Sequence, residues 1–188
     1  MTLKKRAVKK PAKDNRFLEK SIRNIPDFPK PGILFRDVTT LIQNRAAFKK
    51  SVDLLARKYK NMGIDKVIGV EARGFIFGAA LAHKIGAGFV PVRKKGKLPY
   101  KTISATYQLE YGTDTLEIHK DAVKPGEKIL IIDDLLATGG TARAVIDLIK
   151  QLKGTIRGIG FVIELVDLGG KEKLKGYPVY SLVKFEGE

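Results

Sequence analysis

Hydrophobic side chains along the chain alternate between short continuous runs and spacings of three to four residues. One stripe has the i, i+4, i+7 and i+11 spacing of a helix face and consists of Phe48, Val52, Leu55 and Tyr59. Residues 129–132 are four consecutive apolar residues between a Pro-Gly turn and two aspartates, which indicates a buried strand. The same criteria predict helices over residues 15–24, 74–85 and from 141 onward, and strands over residues 66–70, 89–92, 159–166 and 179–183.

This order of strands and helices predicts an α/β fold with a central, mainly parallel sheet flanked by helices. Two segments are additions to that sheet. Apolar-polar alternation over residues 106–118, broken near residue 112, predicts a hairpin. Three prolines within residues 26–31 exclude regular structure and predict a stiff loop. Residues 93–104 are polar, basic and unpatterned, and the longer stretch of residues 93–111 combines cations, glycine and proline, which predicts a mobile lid.

Composition narrows the class of protein. The 188 residues favour one domain, which we predict over residues 15–188. The absence of cysteine excludes disulfide scaffolds and thiolate metal sites or nucleophiles, and it fits a reducing compartment. No apolar run reaches the ~18 residues of a membrane helix. The basic N-terminus lacks the apolar core of a secretory signal, so we expect a cytoplasmic protein without membrane contact.

The net charge of +16 is unevenly distributed. Residues 1–16 hold seven lysines and arginines against one aspartate, and we predict a disordered basic leader over residues 1–14. Nucleic-acid binding by this leader is a second interpretation, but it is not expected because no aromatic residues are interleaved to stack on bases. For the rest of the chain, phosphate-rich small substrates account for a positive field.

The segment that follows the run at residues 129–132 predicts a phosphate site. In an open parallel sheet, ligands bind outside the carboxyl ends of the strands, where this loop lies. Gly139 and Gly140 allow a ligand close to the backbone N–H groups, and Thr138 and Thr141 add hydroxyl donors. The following helix contributes the positive end of its dipole. Neither a P-loop nor a Gly-x-Gly-x-x-Gly dinucleotide motif is present.

Two adjacent carboxylates, Asp133 and Asp134, define the rest of that ligand. Beside a phosphate they would repel it unless they face another part of the molecule. Vicinal hydroxyl groups of a ribose are suitable partners because carboxylates accept their hydrogen bonds. A phosphate site next to a diol site predicts binding of ribose 5-phosphate. A simple helix-capping turn is the alternative, but two acids at the end of a buried strand are costly without partners.

Residues 129–141 resemble the phosphoribosyl pyrophosphate (PRPP) loop of the type I phosphoribosyltransferases. This loop by itself is typical only of the superfamily. Four other stretches, residues 28–37, 71–75, 93–99 and 109–114, match the members of the family that use adenine. The resemblance extends from about residue 15 to residue 185. It implies the type I fold, with an N-terminal hood at about residues 25–40 and a flexible lid hairpin at about residues 93–115.

The resemblance implies conversion of adenine and PRPP to AMP and pyrophosphate, a purine salvage reaction. PRPP would bring Mg²⁺ with it, so that no side chain ligates the metal directly, and the chain would form a homodimer. The phosphate and ribose of PRPP or AMP would contact Asp133, Asp134, Ala137, Thr138, Gly139, Gly140 and Thr141. Pyrophosphate would contact Glu71, Ala72, Arg73, Arg93 and Lys97, and the family carries a non-proline cis peptide in that first loop. Adenine would contact Leu34, Phe35, Arg36 and Leu165.

Reaction chemistry assigns further roles. Displacement at the anomeric carbon passes through an oxocarbenium-like state, which the negative charge of Asp133 and Asp134 would stabilise. The resemblance assigns the catalytic carboxylate to Glu110.

From the residues alone, Phe35 is equally well a core side chain, and Lys94 and Lys95 are equally well solvated charges. Tyr100 occupies a position where some members of the family have glycine.

Two other functions stay open at the level of sequence. A PRPP-sensing nucleic-acid regulator would keep the PRPP loop, but it would lose the lid and gain a DNA-binding domain. Residues 1–25 are too few for such a domain, and the lid motif around Glu110 is present. A phosphoribosyltransferase for xanthine, guanine or hypoxanthine is disfavoured only by the resemblance of the segment around Phe35.

Overall fold

A computed structural model describes residues 13–108 and 112–187. The helices are α1 (Lys13–Lys20), α2 (Thr39–Gln43), α3 (Arg45–Tyr59), α4 (Arg73–Ile85), α5 (Gly140–Gln151) and α6 (Gly170–Lys173), with a 3-10 turn at Val166–Leu168. The strands are β1 (Arg23–Ile25), β2 (Phe35–Asp37), β3 (Lys66–Val70), β4 (Gly88–Lys94), β5 (Thr102–Gln108), β6 (Thr113–His119), β7 (Lys128–Leu136), β8 (Thr155–Leu165) and β9 (Val179–Phe185).

Seven strands form the central sheet in the order β5-β6-β4-β3-β7-β8-β9. Strands β4, β3, β7, β8 and β9 are parallel, and β6 joins the edge of β4 antiparallel as one arm of the β5–β6 hairpin. From β3 the strand order proceeds to β4 on one side, whereas β7, β8 and β9 follow on the other. The carboxyl ends of β3 and β7 therefore flank the topological switch point, which is where open α/β sheets bind ligands.

Local chemistry sets the ends of the long helices. The side chain of Asn44 caps α3 by accepting hydrogen bonds from the backbone N–H groups of Ala46 and Ala47, both at 3.0 Å. Gly86 ends α4 in the left-handed conformation, with φ of 73°, which glycine adopts without steric cost.

Apolar side chains fill both faces of the sheet. On one face, α3 and α4 contribute Leu55, Phe77 and Leu81, all fully buried. On the other face, α5 contributes Val145 and Ile149, which pack with strand residues and with the hairpin. Full burial of such side chains stabilises the fold by roughly 1.5–3 kcal/mol each. Within the described part of the chain, no helix is both long and apolar enough to cross a membrane.

The predicted alternation of strands and helices is confirmed, with corrections at the N-terminus. The prediction of a helix over residues 15–24 is wrong after Lys20, where α1 ends. The following residues form β1, which pairs antiparallel with β2 in the register Arg23↔Asp37. Long-range pairing therefore overrides a local helical pattern. The backbone N–H of Arg23 also donates to Thr40 Oγ1 at 3.1 Å, which holds the strand in place.

Two other predicted boundaries change near the ligand-binding edge. β7 continues to Leu136, so both aspartates lie inside the strand, where Asp133 pairs with Phe161 of β8. Residues 93–104, predicted to be unpatterned, contain the end of β4 and the start of β5. The predicted hairpin is confirmed in the register Tyr107↔Asp114, and its tip at residues 109–111 lies outside the described residues.

Candidate active site

A pocket of about 270 Å³ opens at the switch point between β3 and β7. One wall is the turn after β3, with Glu71, Ala72 and Arg73, and a second wall is the end of β7 and the loop that enters α5. Polar lining residues on these two walls and the hairpin include Glu71, Arg73, Lys94, Tyr107, Asp133, Asp134, Thr138 and Thr141. The structure thus brings together residues that are far apart in the sequence. They meet at the carboxyl edge of the sheet, where the sequence predicted the ligand-binding loop.

The loop at the entry to α5 has the geometry of an anion site. Gly139 has a φ of 78°, and α5 begins at Gly140. The first turn of α5, whose N–H groups have no partner within the helix, therefore lies at the pocket that Thr138 and Thr141 also line. A side chain at position 139 would bring its Cβ within 2.6 Å of the carbonyl oxygen of Gly170, which excludes any other residue there.

A segment after β8 supports this loop from behind. The backbone of Gly170 lies so close to the carbonyl of Ala137 that a Cβ at position 170 would overlap it. Lys171, next in sequence, donates to the buried carboxylate of Glu164 at 3.0 Å and ties α6 to the end of β8. The shape of this loop, residues 137–141, therefore depends on α6 as well as on its own glycines.

The two aspartates at the end of β7 have different surroundings. Asp134 accepts a hydrogen bond from Nε of Arg73, which crosses the pocket from the turn after β3. Asp133 is buried, and its Oδ1 accepts the backbone N–H of Asp134 at 2.9 Å. Burial and the neighbouring carboxylate of Asp134 raise the pKa of Asp133 well above its usual range. Two carboxylates, of which only Asp134 is hydrogen-bonded to Arg73, thus line the pocket beside the loop that enters α5.

The turn after β3 contains a cis peptide bond between Glu71 and Ala72, as the resemblance implied. α4 starts directly behind this turn and packs against β7 at Gly74. A Cβ at position 74 would lie 2.8 Å from Oδ1 of Asp133 and 3.0 Å from the carbonyl of Ile132. Glycine at this position therefore allows the two walls of the pocket to approach each other.

Comparison with known proteins identifies the family. The model of the phosphoribosyl transferase domain matches residues 37–186. Adenine phosphoribosyltransferase of Escherichia coli strain K12 / DH10B is 59% identical over 173 residues, covering 91% of this chain and 94% of the relative. The crystal structure of the Thermoanaerobacter pseudethanolicus enzyme superimposes with a TM-score of 0.88 at 51% identity, covering 91% of this chain and 99% of that chain. This chain belongs to the adenine phosphoribosyltransferase family.

Family membership confirms the predicted type I fold and the predicted enzyme class, a phosphoribosyltransferase. A further adenine phosphoribosyltransferase, from Saccharomyces cerevisiae, was crystallised with adenine and an imino-altritol bisphosphate. It is 42% identical to this chain, with a TM-score of 0.85, and the match covers 90% of this chain and 98% of that chain.

Among the residues that the phosphoribosyltransferase resemblance assigned to pyrophosphate, Arg93 and Lys97 lie outside the pocket lining. The guanidinium of Arg93 donates to both carboxylate oxygens of Glu71 and also to the carbonyl of Lys97 at 3.0 Å. Burial acts to raise the pKa of Glu71, but hydrogen bonds from Arg93 and from the Lys94 backbone lower it below its ordinary value. Glu71 is therefore a charged partner of Arg93 in this structure, and the Lys97 side chain is exposed.

The residues assigned to adenine lie beside the pocket. Phe35, half-buried in β2, has its ring edge-on to Phe28 at 5.1 Å and lies 6.0 Å from the guanidinium carbon of Arg73. Arg36 lies over the ring of Phe185 at 4.0 Å, and Phe185 is the strand partner of Leu165. β2 thus lies near the ends of β8 and β9, with Leu34 immediately before it. Phe35 is not a central core side chain.

Two polar lining residues, Lys94 and Tyr107, were not among the predicted site residues. A signal for Tyr107 was present, because Ile103, Ala105 and Tyr107 alternate along β5 and all three pack against the core cluster next to α5. Lys94 carried no comparable signal, since neighbouring lysines have the same local character. Glu110, the predicted catalytic residue, lies outside the described residues, and its role stays a prediction.

Proposed function

We propose that this pocket transfers the 5-phosphoribosyl group of PRPP to adenine and releases AMP and pyrophosphate, as in purine salvage. A nitrogen of adenine forms a bond to the anomeric carbon while the bond from that carbon to the pyrophosphate oxygen breaks, and adenine loses one proton. One observation carries the proposal. The phosphate loop at the start of α5 and the Arg73–Asp134 pair line one pocket, with Phe35 of the hood next to Arg73.

The 5-phosphate binds in the loop formed by Ala137, Thr138, Gly139, Gly140 and Thr141. Backbone N–H groups and two hydroxyl groups supply donors there, and the dipole of α5 adds positive potential. Asp133 and Asp134 accept hydrogen bonds from the ribose hydroxyl groups and place negative charge near the sugar as positive charge develops on it. The hydrogen bond from Arg73 holds the carboxylate of Asp134 in place.

Pyrophosphate leaves toward the turn of Glu71, Ala72 and Arg73. Arg73 is the cation that lines the pocket on this side, and Arg93 and Lys97 approach when the lid closes over bound substrate. Mg²⁺ prefers phosphate oxygens and water with few protein ligands. Since Arg73 already contacts Asp134, Mg²⁺ would arrive with PRPP and would supply positive charge to the leaving pyrophosphate.

Adenine binds between Phe35 and Leu165, with backbone atoms of Leu34 and Arg36 along its edge. The half-buried ring of Phe35 lies next to Arg73, which places the base near the leaving group. Glu110, on the lid, accepts the proton that adenine loses. Closure of the lid would bring this carboxylate over the reacting atoms and exclude water.

We further propose a cytoplasmic homodimer that binds no membrane and, through the leader, no nucleic acid. Helix α4 supports the dimer, because its neighbouring apolar residues Ile76 and Ala79 are exposed, with Ile76 40% exposed. Such an apolar helix face is typical of an interface with a second copy. Sedimentation of the full chain measures the oligomeric state, and the absence of cysteine fits a reducing cytoplasm.

The purified chain with PRPP, Mg²⁺ and one purine base at a time provides the test of the reaction. We expect AMP from adenine and no nucleotide from xanthine, guanine or hypoxanthine. Thr138→Val/Thr141→Val removes both hydroxyl donors of the phosphate loop and is the matched low-activity control. Product from another base would contradict the role of the hood. No product from any base, together with measurable PRPP binding, would favour the regulator.

A further inference from the structure

Phe185, the last residue of β9, lies between the hood and the end of β8. The guanidinium carbon of Arg36 in β2 is 4.0 Å from the centroid of its ring. On the other side, Phe185 is the register partner of Leu165 in the parallel pair of β8 and β9. Both Phe185 and Leu165 are partly buried against the same hydrophobic core cluster. Phe185 therefore adjoins both segments that flank the proposed position of adenine.

Two contacts hold the side chain of Arg36. Its Nη1 donates to Oδ1 of Asn24 in β1 at 2.7 Å, and its guanidinium lies over the ring of Phe185. The negative face of an aromatic ring attracts a cation, and the attraction grows as water is excluded. Arg36 and Phe185 are both half-buried. Because Asn24 and Arg36 are also paired in the strand register, this contact fastens both strands of the hood to β9.

The hood needs such contacts because its sheet is small. Strands β1 and β2 have three residues each, and among the strands that the structure describes they pair with each other alone. A two-stranded sheet is marginally stable in water by itself. At one end of β1, the backbone N–H of Arg23 donates to Thr40 Oγ1 at 3.1 Å. The contact of Arg36 with Phe185 acts closer to the base, in the position next to Phe35.

The position of Phe35 depends on this contact through the geometry of a strand. Phe35 and Arg36 are neighbours in β2, so their side chains point to opposite faces. The ring of Phe35 lies 6.0 Å from the guanidinium carbon of Arg73, at the pocket wall, whereas Arg36 lies over Phe185. A backbone that is held at Arg36 therefore also fixes where the ring of Phe35 lies.

On the basis of the proposed function, we propose that Phe185 is a positioning residue for adenine and acts on the hood through Arg36. In this role its ring contacts neither the base nor PRPP. It holds β2 at a set distance from Leu165, so that a flat base is accommodated between Phe35 and Leu165. The expected signature is a rise in the KM of adenine without a matching rise in the KM of PRPP.

Phe185→Leu removes the ring and keeps an apolar side chain at the end of β9. We expect the KM of adenine to rise about 3- to 10-fold, the effect of one cation–π contact, with kcat and the KM of PRPP within about twofold of wild type. Phe185→Tyr retains the ring and should restore the KM of adenine. Tyr180→Leu is the matched control, since it removes a ring that lies 5.7 Å from Nζ of Lys58 near the opposite end of the same strand. It should leave both KM values unchanged.

Arg36→Met tests the same contact from the side of the hood. Methionine keeps an extended apolar side chain but has no charge, so this variant should also raise the KM of adenine and spare that of PRPP. Because the two side chains act as one unit, Phe185→Leu combined with Arg36→Met should raise the KM of adenine by less than the product of the two single effects. If Phe185→Leu yields no folded protein, the KM values of Arg36→Met decide the proposal.

An unchanged KM of adenine in Phe185→Leu would overturn the proposal, as would single effects that multiply fully in the double variant. Equal rises in both KM values would also overturn it, because they would show a general loss of the fold. A wild-type chain that forms no AMP from adenine contradicts the proposed function and this inference together. An active wild type with an unaffected Phe185→Leu variant contradicts the inference alone.

Discussion

Arg93 and Glu71 form a two-pronged ion pair, Nε to Oε2 at 3.2 Å and Nη2 to Oε1 at 3.2 Å. The pair joins the turn after β3 to the end of β4, and the backbone N–H of Lys94 donates to the same carboxylate at 3.0 Å. A carboxylate held in this way is a poor ligand for pyrophosphate, which is also negatively charged. We interpret Glu71 as the group that holds Arg93 beside the pocket.

Glu71→Gln tests this interpretation. The amide keeps the shape of the side chain but loses the charge, so Arg93 is less firmly held, and we expect kcat/KM for PRPP to fall about 10-fold. Steady-state kinetics with PRPP varied provide the measurement. Asp53→Asn is the control, because Asp53 pairs with Lys49 and Lys84 away from the pocket. Equal kcat/KM for Glu71→Gln and wild type would contradict the role.

Asp133→Asn should separate stability from function. The pKa of Asp133 is raised by folding, so ionising this group costs stability as pH rises above about 4, the value for an unfolded aspartate. Below that pH both states are protonated and the cost is absent. We therefore expect the variant to have the higher Tm at neutral pH, and the difference to shrink as pH falls toward 4.

Activity of the same variant should change in the opposite direction. Loss of a charged acceptor for the ribose hydroxyl groups is expected to lower kcat/KM for PRPP about 10- to 100-fold. Asp134→Asn is the comparison, because it removes the charge that Arg73 contacts and should lower activity without raising the Tm. A lower Tm for Asp133→Asn at neutral pH would show that Asp133 stabilises the ligand-free fold.

Gly74→Ala places a methyl group 2.8 Å from Oδ1 of Asp133. Because the neighbouring atoms include the backbone of β7, the start of α4 has to move away from the strand, and we expect a cost of about 1–3 kcal/mol in the free energy of unfolding. The KM of PRPP should rise as well, since both walls of the pocket are displaced. Gly88→Ala, whose Cβ has no neighbour closer than 3.5 Å, should change neither urea unfolding nor KM.

Phe35→Ala should weaken adenine binding and leave PRPP binding largely intact. Stacking of a base on an aromatic ring contributes about 1–3 kcal/mol, so the KM of adenine is expected to rise about 5- to 100-fold. Phe17→Ala removes a phenylalanine of α1 that is also partly exposed and should have no effect on either KM. Equal increases in both KM values would mean that Phe35 supports the fold of the hood and does not contact the base.

Glu110→Ala is expected to lower kcat by about 10²–10⁴-fold, the usual contribution of general acid–base catalysis, with little change in PRPP affinity. Glu110→Gln keeps the length of the side chain but cannot accept the proton, so it should be impaired to a similar extent. Single-turnover formation of AMP measures the chemical step directly. Near-native turnover in either variant would remove Glu110 from the role of base.

Patterns within one element predicted most of this fold. The apolar run at residues 129–132 gave β7, and the stripe that includes Val52 and Leu55 gave α3, because burial of one strand or one helix face leaves a local periodicity. The glycines and threonines of the phosphate loop also form one continuous stretch. The structure places these residues together in the lining of one pocket, and their binding of phosphate stays a prediction.

Contacts between distant segments of the chain leave no such periodicity in the sequence and could not be predicted from it. β1 forms because its residues pair with β2, so the helical spacing before Asn24 was misleading. The partner of Glu71 is Arg93, and only the parallel pairing of β3 with β4 brings these two side chains together. Tyr107 reaches the phosphate loop because the hairpin lies along α5. Each of these relationships depends on the path of the chain in space, which local composition does not specify.

The close fit of Gly170 behind Ala137 has a consequence for protein engineering. The phosphate loop and the turn that carries Gly170 share one boundary, with no room for a methyl group between them, and Lys171 anchors that turn to Glu164. A graft of the loop into another α/β scaffold would therefore reproduce its sequence but not its shape. The transferable unit is the loop together with the end of β8 and α6, two pieces separated along the chain but inseparable as a design module.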